Sequence, residues 1–261
     1  MPDQDRLPLI AVDVGNSRLK FGRFDSFNGQ PLPTPSRTFE VAPDGSLDEA
    51  ISSLAIDGAE TLHWRIASVS RPCSTRLLDW LRERRAVENV RLLASFDLPL
   101  TVELDRPDMV GIDRLLGAVA ANRLREDGRP AVIVDLGTAI TVDAVSAAGA
   151  FLGGAILPGI GMSARALHHF TDLLPLLDMT TLAQSPPPLG TSTAAAMQAG
   201  LFWGAVGAAR RLVELYGEAL RADPHVILTG GAAPSVAPLI SDSAVYAPHL
   251  TLAGIAISVS S

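Results

Sequence analysis

Two short acidic turns carry the residue types that bind phosphate groups. Residues 13–17 read Asp-Val-Gly-Asn-Ser after the apolar run 9–12, and residues 135–139 read Asp-Leu-Gly-Thr-Ala after the apolar run 131–134. Glycine lets backbone N–H groups approach an anion, hydroxyl and amide side chains add donors, and aspartate can hold Mg²⁺ directly or through water. Either turn alone fits an ordinary hairpin. Two turns at equivalent places predict a site for nucleotide phosphates.

Two further segments suit phosphoryl transfer. Residues 228–232, Leu-Thr-Gly-Gly-Ala, end a β-rich run and begin a helix, which suits packing against a nucleotide base or ribose. Asp113 and Arg114 supply a carboxylate for the attacking hydroxyl of an alcohol and a cation for a carboxylate or a phosphoryl group. Taken alone, Asp113 is also well placed to cap a helix, and Arg114 could form a structural ion pair.

The elements that must position these residues follow the same order in both halves. In the first half, periodicity predicts helices over 47–54 and 74–85 and strands over 9–13, 19–24, 38–41, 63–69 and 90–94. In the second half it predicts helices from about 161 and 192 and strands over 131–135, 140–145, 151–157 and 226–229. We therefore predict a duplicated pair of similar α/β domains, residues 1–112 and 113–261, facing each other across a cleft.

Composition excludes several classes of protein. The chain has 261 residues, of which 48% are hydrophobic and 19% charged, and this balance excludes long disorder. A net charge of −7 argues against nucleic acid as a partner, and the one cysteine, Cys73, fits a reducing compartment. The amino terminus lacks a signal-peptide pattern, and the most apolar stretch, 194–209, is shorter than the ~20 residues of a membrane span. We predict a buried helix there, in a cytoplasmic protein without a membrane anchor.

The motifs together resemble the phosphate 1, phosphate 2 and adenosine motifs of the actin and hexokinase superfamily, over nearly the whole chain. A narrower resemblance is to the type III pantothenate kinases. Residues 107–114 are similar to that family's Gly-x-Asp-Arg motif, residues 153–159 to its glycine-proline signature, and residues 188–193 to its Gly-x-x-Thr element. The resemblance implies two ribonuclease H-like domains of the actin-like ATPase type and ATP-dependent phosphorylation of pantothenate in coenzyme A biosynthesis. It also implies Mg²⁺, a monovalent cation (K⁺ or NH₄⁺) and a homodimer.

The same resemblance implies roles for individual residues. The ATP site would comprise Asp13, Val14, Gly15, Asn16, Ser17, Arg18, Leu19, Lys20 and Thr138. The pantothenate site would comprise Gly111, Ile112, Asp113, Arg114 and Thr193, with Asp113 as the proton acceptor. Asp135 would hold the monovalent cation. From the residues alone, a turn-stabilising role for Asp135 and hydroxyl caps at Thr138 and Thr193 stay open.

Two positions depart from the family pattern. Leu104 stands where the family often has a tyrosine of the substrate pocket, and Ser17 stands where threonine is common. A kinase for another small alcohol and a nonenzymatic nucleotide-binding regulator of the same fold are therefore alternative functions. Residues 159–164 also resemble a dinucleotide-binding fingerprint, which is typical of NAD-dependent oxidoreductases. No Gly-x-x-x-x-Gly-Lys-Ser/Thr sequence occurs, which excludes a P-loop kinase.

Overall fold

The computed structural model describes residues 8–27, 30–56, 61–85, 88–178 and 185–258. The chain divides into two compact units. The first comprises Met1–Leu124 together with His249–Ser261, and the second comprises Arg125–Pro248. Each unit contains one five-stranded sheet.

The sheet of the first unit mixes antiparallel and parallel strands. In chain order the strands are β1 (Leu9–Val14), β2 (Leu19–Phe24), β3 (Arg37–Val41), β4 (His63–Ser68) and β5 (Asn89–Leu92). They lie in the order β3-β2-β1-β4-β5. β2 is antiparallel to β1 and β3, whereas β4 is parallel to β1 and β5. β1 is central and nearly all buried, which explains its almost continuous apolar sequence.

The α-helices described in this half of the chain are α1 (Asp48–Ser53), α2 (Arg71–Arg84) and α3 (Ile112–Leu124). α1 and α2 cover one face of the sheet, where Leu77 and Leu81 of α2 join the core around Trp64. α2 begins three residues before the predicted start at residue 74. Pro72 in its first turn explains the difference, because proline fits the start of a helix, where its missing N–H costs no hydrogen bond.

The second unit repeats the topology of the first. Its strands are β6 (Ala131–Leu136), β7 (Ala139–Val145), β8 (Phe151–Pro158), β9 (His225–Thr229) and β10 (Val245–Tyr246), in the order β10-β9-β6-β7-β8. The pairings also have the same senses: β7 is antiparallel to β6 and β8, and β9 is parallel to β6 and β10. This repetition confirms the prediction of two similar α/β domains.

The helices of the second unit are α4 (Ile160–His169), α5 (Thr193–Leu220) and α6 (Ala233–Ile240). α5 and α6 pack on one face of the sheet, with Phe202 and Val206 of α5 in the core. The predicted helix over 194–209 is confirmed as part of α5, but the prediction that it is buried is wrong for one face, because α5 is exposed on the side opposite the core. Gly200 and Gly204 lie outside the buried stripe of α5, and no described atom lies within 4 Å of a Cβ built on either. In the described ranges, no helix is both long and apolar enough to cross a membrane.

The last helix, α7 (Leu250–Ile257), returns to the first unit. It packs on α3 and on β1, β2 and β4. The two helix backbones touch, because a Cβ on Gly254 would overlap the carbonyl oxygen of Leu116 in α3. The observed division of the chain therefore differs from the predicted boundary between residues 112 and 113. Both α3 and the carboxyl-terminal helix complete the first unit.

Candidate active site

The predicted phosphate 1 turn is the hairpin between β1 and β2. The Gly15 N–H donates to the carbonyl oxygen of Arg18 at 3.0 Å, which closes the turn. Asn16, Ser17 and Arg18 are exposed at its tip. Asp13 is half-buried at the end of β1 and lies opposite Lys20 on β2. The turn thus presents amide, hydroxyl and cationic groups at the carboxyl end of a central strand.

The segment after β4 lies beside this turn. The Val69 N–H donates to the carbonyl oxygen of Val14 at 3.1 Å. The Ser68 hydroxyl donates to the Ser70 carbonyl oxygen at 3.0 Å, and the Ser70 N–H donates back to that hydroxyl oxygen at 3.1 Å. α2 then begins at Arg71, whose side chain is exposed. Sequence reasoning missed this segment, and the Pro72 signal for an earlier helix start would have drawn attention to it.

The Gly111–Arg114 motif lies against the same segment. A Cβ on Gly111 would lie 3.7 Å from Val69 Cγ1 and 2.5 Å from Asp113 Oδ1. Any side chain at position 111 would therefore displace the carboxylate. Val69 contacts the phosphate 1 turn through its backbone and the Gly111 position through its side chain, so the two motifs lie at the same edge of the sheet.

Asp113 is the second residue of α3, not its cap, because the helix begins at Ile112. Its Oδ1 accepts the Arg114 N–H at 2.9 Å, and the same N–H lies 3.1 Å from the Gly111 carbonyl oxygen. The Asp113 side chain is half-buried, whereas Ile112 is buried in the core. A carboxylate is thus held by the first turn of a helix at the edge of the sheet.

In the second unit, the phosphate 2 turn joins β6 to β7. The Gly137 N–H donates to the Ala139 carbonyl oxygen at 3.1 Å, and Thr138 is exposed at the tip. Asp135, near the end of β6, lies opposite Thr229 on β9. A Cβ on Gly137 would lie 3.4 Å from Asp135 Oδ1, and one on Gly230 would lie 2.5 Å from it. At Gly230 the backbone therefore approaches this carboxylate and the backbone of Leu136 too closely for a side chain to fit.

Gly230 is required for its backbone as well as for the space. Its φ of +93° lies in the left-handed region that side chains disfavour, and it turns the chain from β9 toward α6. The predicted adenosine motif therefore passes beside the carboxylate of Asp135 at its third residue.

The glycine-proline signature contacts the same turn. The Gly159 N–H, between β8 and α4, donates to the Thr138 carbonyl oxygen at 3.0 Å, and a Cβ on Gly159 would overlap that oxygen. This arrangement contradicts the dinucleotide-binding interpretation of residues 159–164. That fingerprint requires a parallel βαβ unit, whereas β8 is an edge strand antiparallel to β7.

Thr193 is the first residue of α5 and lines a groove of about 770 Å³. The cap of α5 is Ser192, whose hydroxyl accepts the Ala195 N–H at 3.2 Å, so the cap alternative for Thr193 is wrong. Leu167 and Leu174 form another part of the groove wall. Gly190 lies so close to the first turn of α5 that a side chain there would overlap it.

In the described part of the chain, no group of three or more His, Cys, Asp or Glu residues is arranged to hold a metal ion. A metal at either turn would take most of its ligands from phosphates and water, as Mg²⁺ commonly does.

Leu104 is half-buried in the loop between β5 and α3.

Two repeated sheets, each with a polar turn after its first strand, define a class: the actin-like ATPase and sugar kinase fold. The structure is similar to a Sinorhizobium meliloti protein described as a 2-dehydro-3-deoxygalactonokinase, with TM-score 0.57, 17% identity and coverage of 96% of this chain and 95% of that one. It is also similar to component A of the Acidaminococcus fermentans (R)-2-hydroxyglutaryl-CoA dehydratase, with TM-score 0.50, 11% identity and 96% of each chain covered. At these identities the likeness shows the fold.

The particular family follows from the sequence comparisons. The family model described as type III pantothenate kinase matches residues 9–215, and the chain belongs to this family. A type III pantothenate kinase of Paramagnetospirillum magneticum is 41% identical over 251 residues, with 95% of each chain covered. One from Gluconobacter oxydans is 39% identical over 181 residues, and this alignment spans 68% of this chain and 62% of that protein. The predictions of the family and of an ATP-using kinase are confirmed.

Proposed function

We propose that the chain transfers the γ-phosphoryl group of ATP to the primary hydroxyl of pantothenate. The product would be 4'-phosphopantothenate, at the first step of coenzyme A biosynthesis in the cytoplasm. One observation carries the assignment to particular residues. The Val69 N–H donates to the Val14 carbonyl oxygen at 3.1 Å, and Val69 Cγ1 lies 3.7 Å from the place that a Cβ on Gly111 would take. The phosphate 1 turn and the acceptor motif therefore occupy the same sheet edge.

In this proposal, Asp113 accepts the proton of the attacking hydroxyl. The Arg114 N–H holds Oδ1, which leaves Oδ2 to bind and orient the hydroxyl. Phosphoryl transfer proceeds through a loose transition state, so much of the gain comes from positioning. Gly111 supports this geometry because it leaves room for the carboxylate, and Ile112 anchors the motif in the core.

The proposed phosphate contacts lie on the β1–β2 hairpin. Asn16 and Ser17 are exposed donors, and Gly15 brings the backbone close to an anion. The segment 13–20 also carries two cationic side chains, which differ in the residues beside them. Arg18 pairs with Glu40 at 2.8 Å, whereas Lys20 lies opposite Asp13. Val14 and Leu19 are buried and hold the hairpin in the sheet. Thr138, at the tip of the phosphate 2 turn, is the proposed further ATP contact.

Both proposed ions suit the donors at the two turns. When bound, Mg²⁺ neutralises charge on the β- and γ-phosphate oxygens. Asp13 is the carboxylate that would hold it, directly or through water. Asp135 would hold K⁺ or NH₄⁺, because a carboxylate supplies the hard oxygen atoms that suit such a cation.

A homodimer is proposed because the second unit exposes large apolar side chains next to the groove that Thr193 lines. The exposed fractions are 80% for Phe170, 91% for Leu173 and 81% for Leu189. Exposed apolar groups of this kind mark interaction surfaces, and a second copy of the chain is the proposed occupant. Leu173→Glu should convert the protein to a monomer in light scattering. An unchanged mass for the dimer would contradict the assignment of this surface.

A coupled assay of ADP release with a panel of small alcohols tests the function. Pantothenate should be the preferred acceptor, and mass spectrometry should detect one added phosphoryl group on it. Preference for a different alcohol would favour the alternative of another small-alcohol kinase. Leu104, which replaces the tyrosine common in the family, is the position to exchange in that case.

A further inference from the structure

Arg71, the first residue of α2, is a cation that directly follows the segment beside Gly111, and none of the proposed roles uses it. We propose that its guanidinium binds the carboxylate of the acceptor and so selects acidic alcohols over neutral ones. The inference rests on the proposed function, because it assumes that pantothenate is the acceptor.

The place of Arg71 follows from its neighbours. It directly follows residues 68–70, the segment that contacts both the phosphate 1 turn and the Gly111 position. Its backbone is fixed, because the Ser74 N–H donates to the Ser70 carbonyl oxygen at 3.0 Å and the Ser74 hydroxyl donates to the Arg71 carbonyl oxygen at 3.0 Å. Helical side chains lean toward the amino end of their helix. An arginine at the first position therefore covers the turn before it, which is the turn beside Gly111.

Arg71 also differs from the other arginines of its helix in its contacts. Arg76 donates to the carbonyl oxygens of Pro43 and Gly45, Arg82 pairs with Asp79 at 2.7 Å, and Arg84 pairs with Asp48 at 3.7 Å. Among the residues that the structure describes, the exposed Arg71 guanidinium has no hydrogen bond or ion pair. In a chain with net charge −7, a cation left available at this edge suits an external anion.

The chemistry of the reaction calls for such a cation. An acidic acceptor must approach Asp113 and the ATP phosphates, all of which repel its carboxylate. A planar guanidinium can bind a carboxylate through two parallel hydrogen bonds, and the amino end of the 14-residue α2 adds a partial positive charge. Arg114 directly follows Asp113, the residue proposed to bind the acceptor hydroxyl, and we assign it to the phosphoryl group that arrives there. Arg71 remains for the carboxylate end.

Pantothenol tests the proposal, because it keeps the acceptor hydroxyl of pantothenate and replaces the carboxylate by an alcohol. Arg71→Gln should raise KM for pantothenate by about tenfold or more, as expected for loss of a charge-assisted hydrogen bond. It should leave kcat/KM for pantothenol and KM for ATP within about twofold, and Arg71→Lys should restore part of the pantothenate affinity. Arg82→Gln, on the same helix, is the matched control and should change none of these values.

Equal effects of Arg71→Gln on the two acceptors, an increase in KM for ATP, or values equal to those of Arg82→Gln would each overturn the proposal. Calorimetric binding of pantothenate and pantothenol, with a nonhydrolysable ATP analogue present, separates this inference from the proposed function. If the unaltered protein binds pantothenate more tightly than pantothenol and Arg71→Gln abolishes this preference, the inference holds. It then holds whether or not the protein phosphorylates pantothenate. If the unaltered protein binds both acceptors equally, the inference is wrong. Absence of phosphorylation despite that preference would refute the proposed function only.

Discussion

Replacement of Asp113 by asparagine separates a catalytic role of the carboxylate from a structural one. Asparagine keeps the shape of the side chain and an oxygen for the 2.9 Å hydrogen bond from the Arg114 N–H. It removes the negative charge and the ability to accept a proton. Because α3 begins at Ile112, Asp113 lies in the first helical turn, where a carboxylate stabilises a helix by about 0.3–1 kcal/mol.

The two roles therefore predict effects of different size. Loss of the charge should lower the free energy of unfolding by at most about 1 kcal/mol, which corresponds to about 2–4 °C in Tm for a protein of this size. Loss of a general base should lower kcat by at least about a hundredfold, or about 2.7 kcal/mol in the activation barrier. KM for ATP should stay nearly constant, since Asp113 is assigned to the acceptor and not to the nucleotide.

Steady-state kinetics and thermal unfolding of the same preparation measure both quantities. Asp108→Asn is the matched control, because Asp108 is a nearby exposed acid whose pKa is lowered by a hydrogen bond from Arg106 at 2.8 Å. This control should keep turnover within about twofold of the unaltered protein. Near-normal turnover of Asp113→Asn, together with a Tm lower by several degrees, would refute the catalytic assignment.

Three further outcomes are expected. If Asp135 holds a monovalent cation, activity should be high in K⁺ or NH₄⁺ and fall in Na⁺, and equal rates in the three salts would contradict this role. Burial lowers the pKa of His249, so the unfolded chain binds more protons, and the free energy of unfolding should fall from about pH 7.5 to about pH 5.5. His249→Gln should lessen that fall in urea unfolding, and an unchanged pH dependence would count against it. Gly254→Ala should cost about 1–3 kcal/mol because its Cβ overlaps the Leu116 carbonyl oxygen, whereas the open Gly207→Ala should be neutral or stabilising by up to about 1 kcal/mol. Equal Tm values for the two glycine variants would contradict the close packing.

Local patterns predicted most strands and the two polar turns that follow β1 and β6. β2 has the bounds that the sequence predicted, Leu19–Phe24, because an apolar run between turn residues is a local signal. α5 was predicted as buried, since its Ala and Gly content resembles that of a helix surrounded by protein. In the structure it buries one stripe, because burial depends on what packs against a helix and not on its composition. The two-residue strand β10 was not predicted, since it is too short to show a period.

The candidate site, like the fold, combines features that the sequence predicts with features that only the structure shows. The sequence by itself determined which residues could bind phosphate, accept a proton and mark the family, because these depend on residue types at short spacing. Only the tertiary structure decided that Val69 joins the phosphate 1 turn to Gly111, that Gly230 faces Asp135, and that α7 returns to α3. These contacts join residues far apart in the chain. They follow from the parallel pairing of β4 with β1 and of β9 with β6, and from helix packing, which no local pattern of residues encodes.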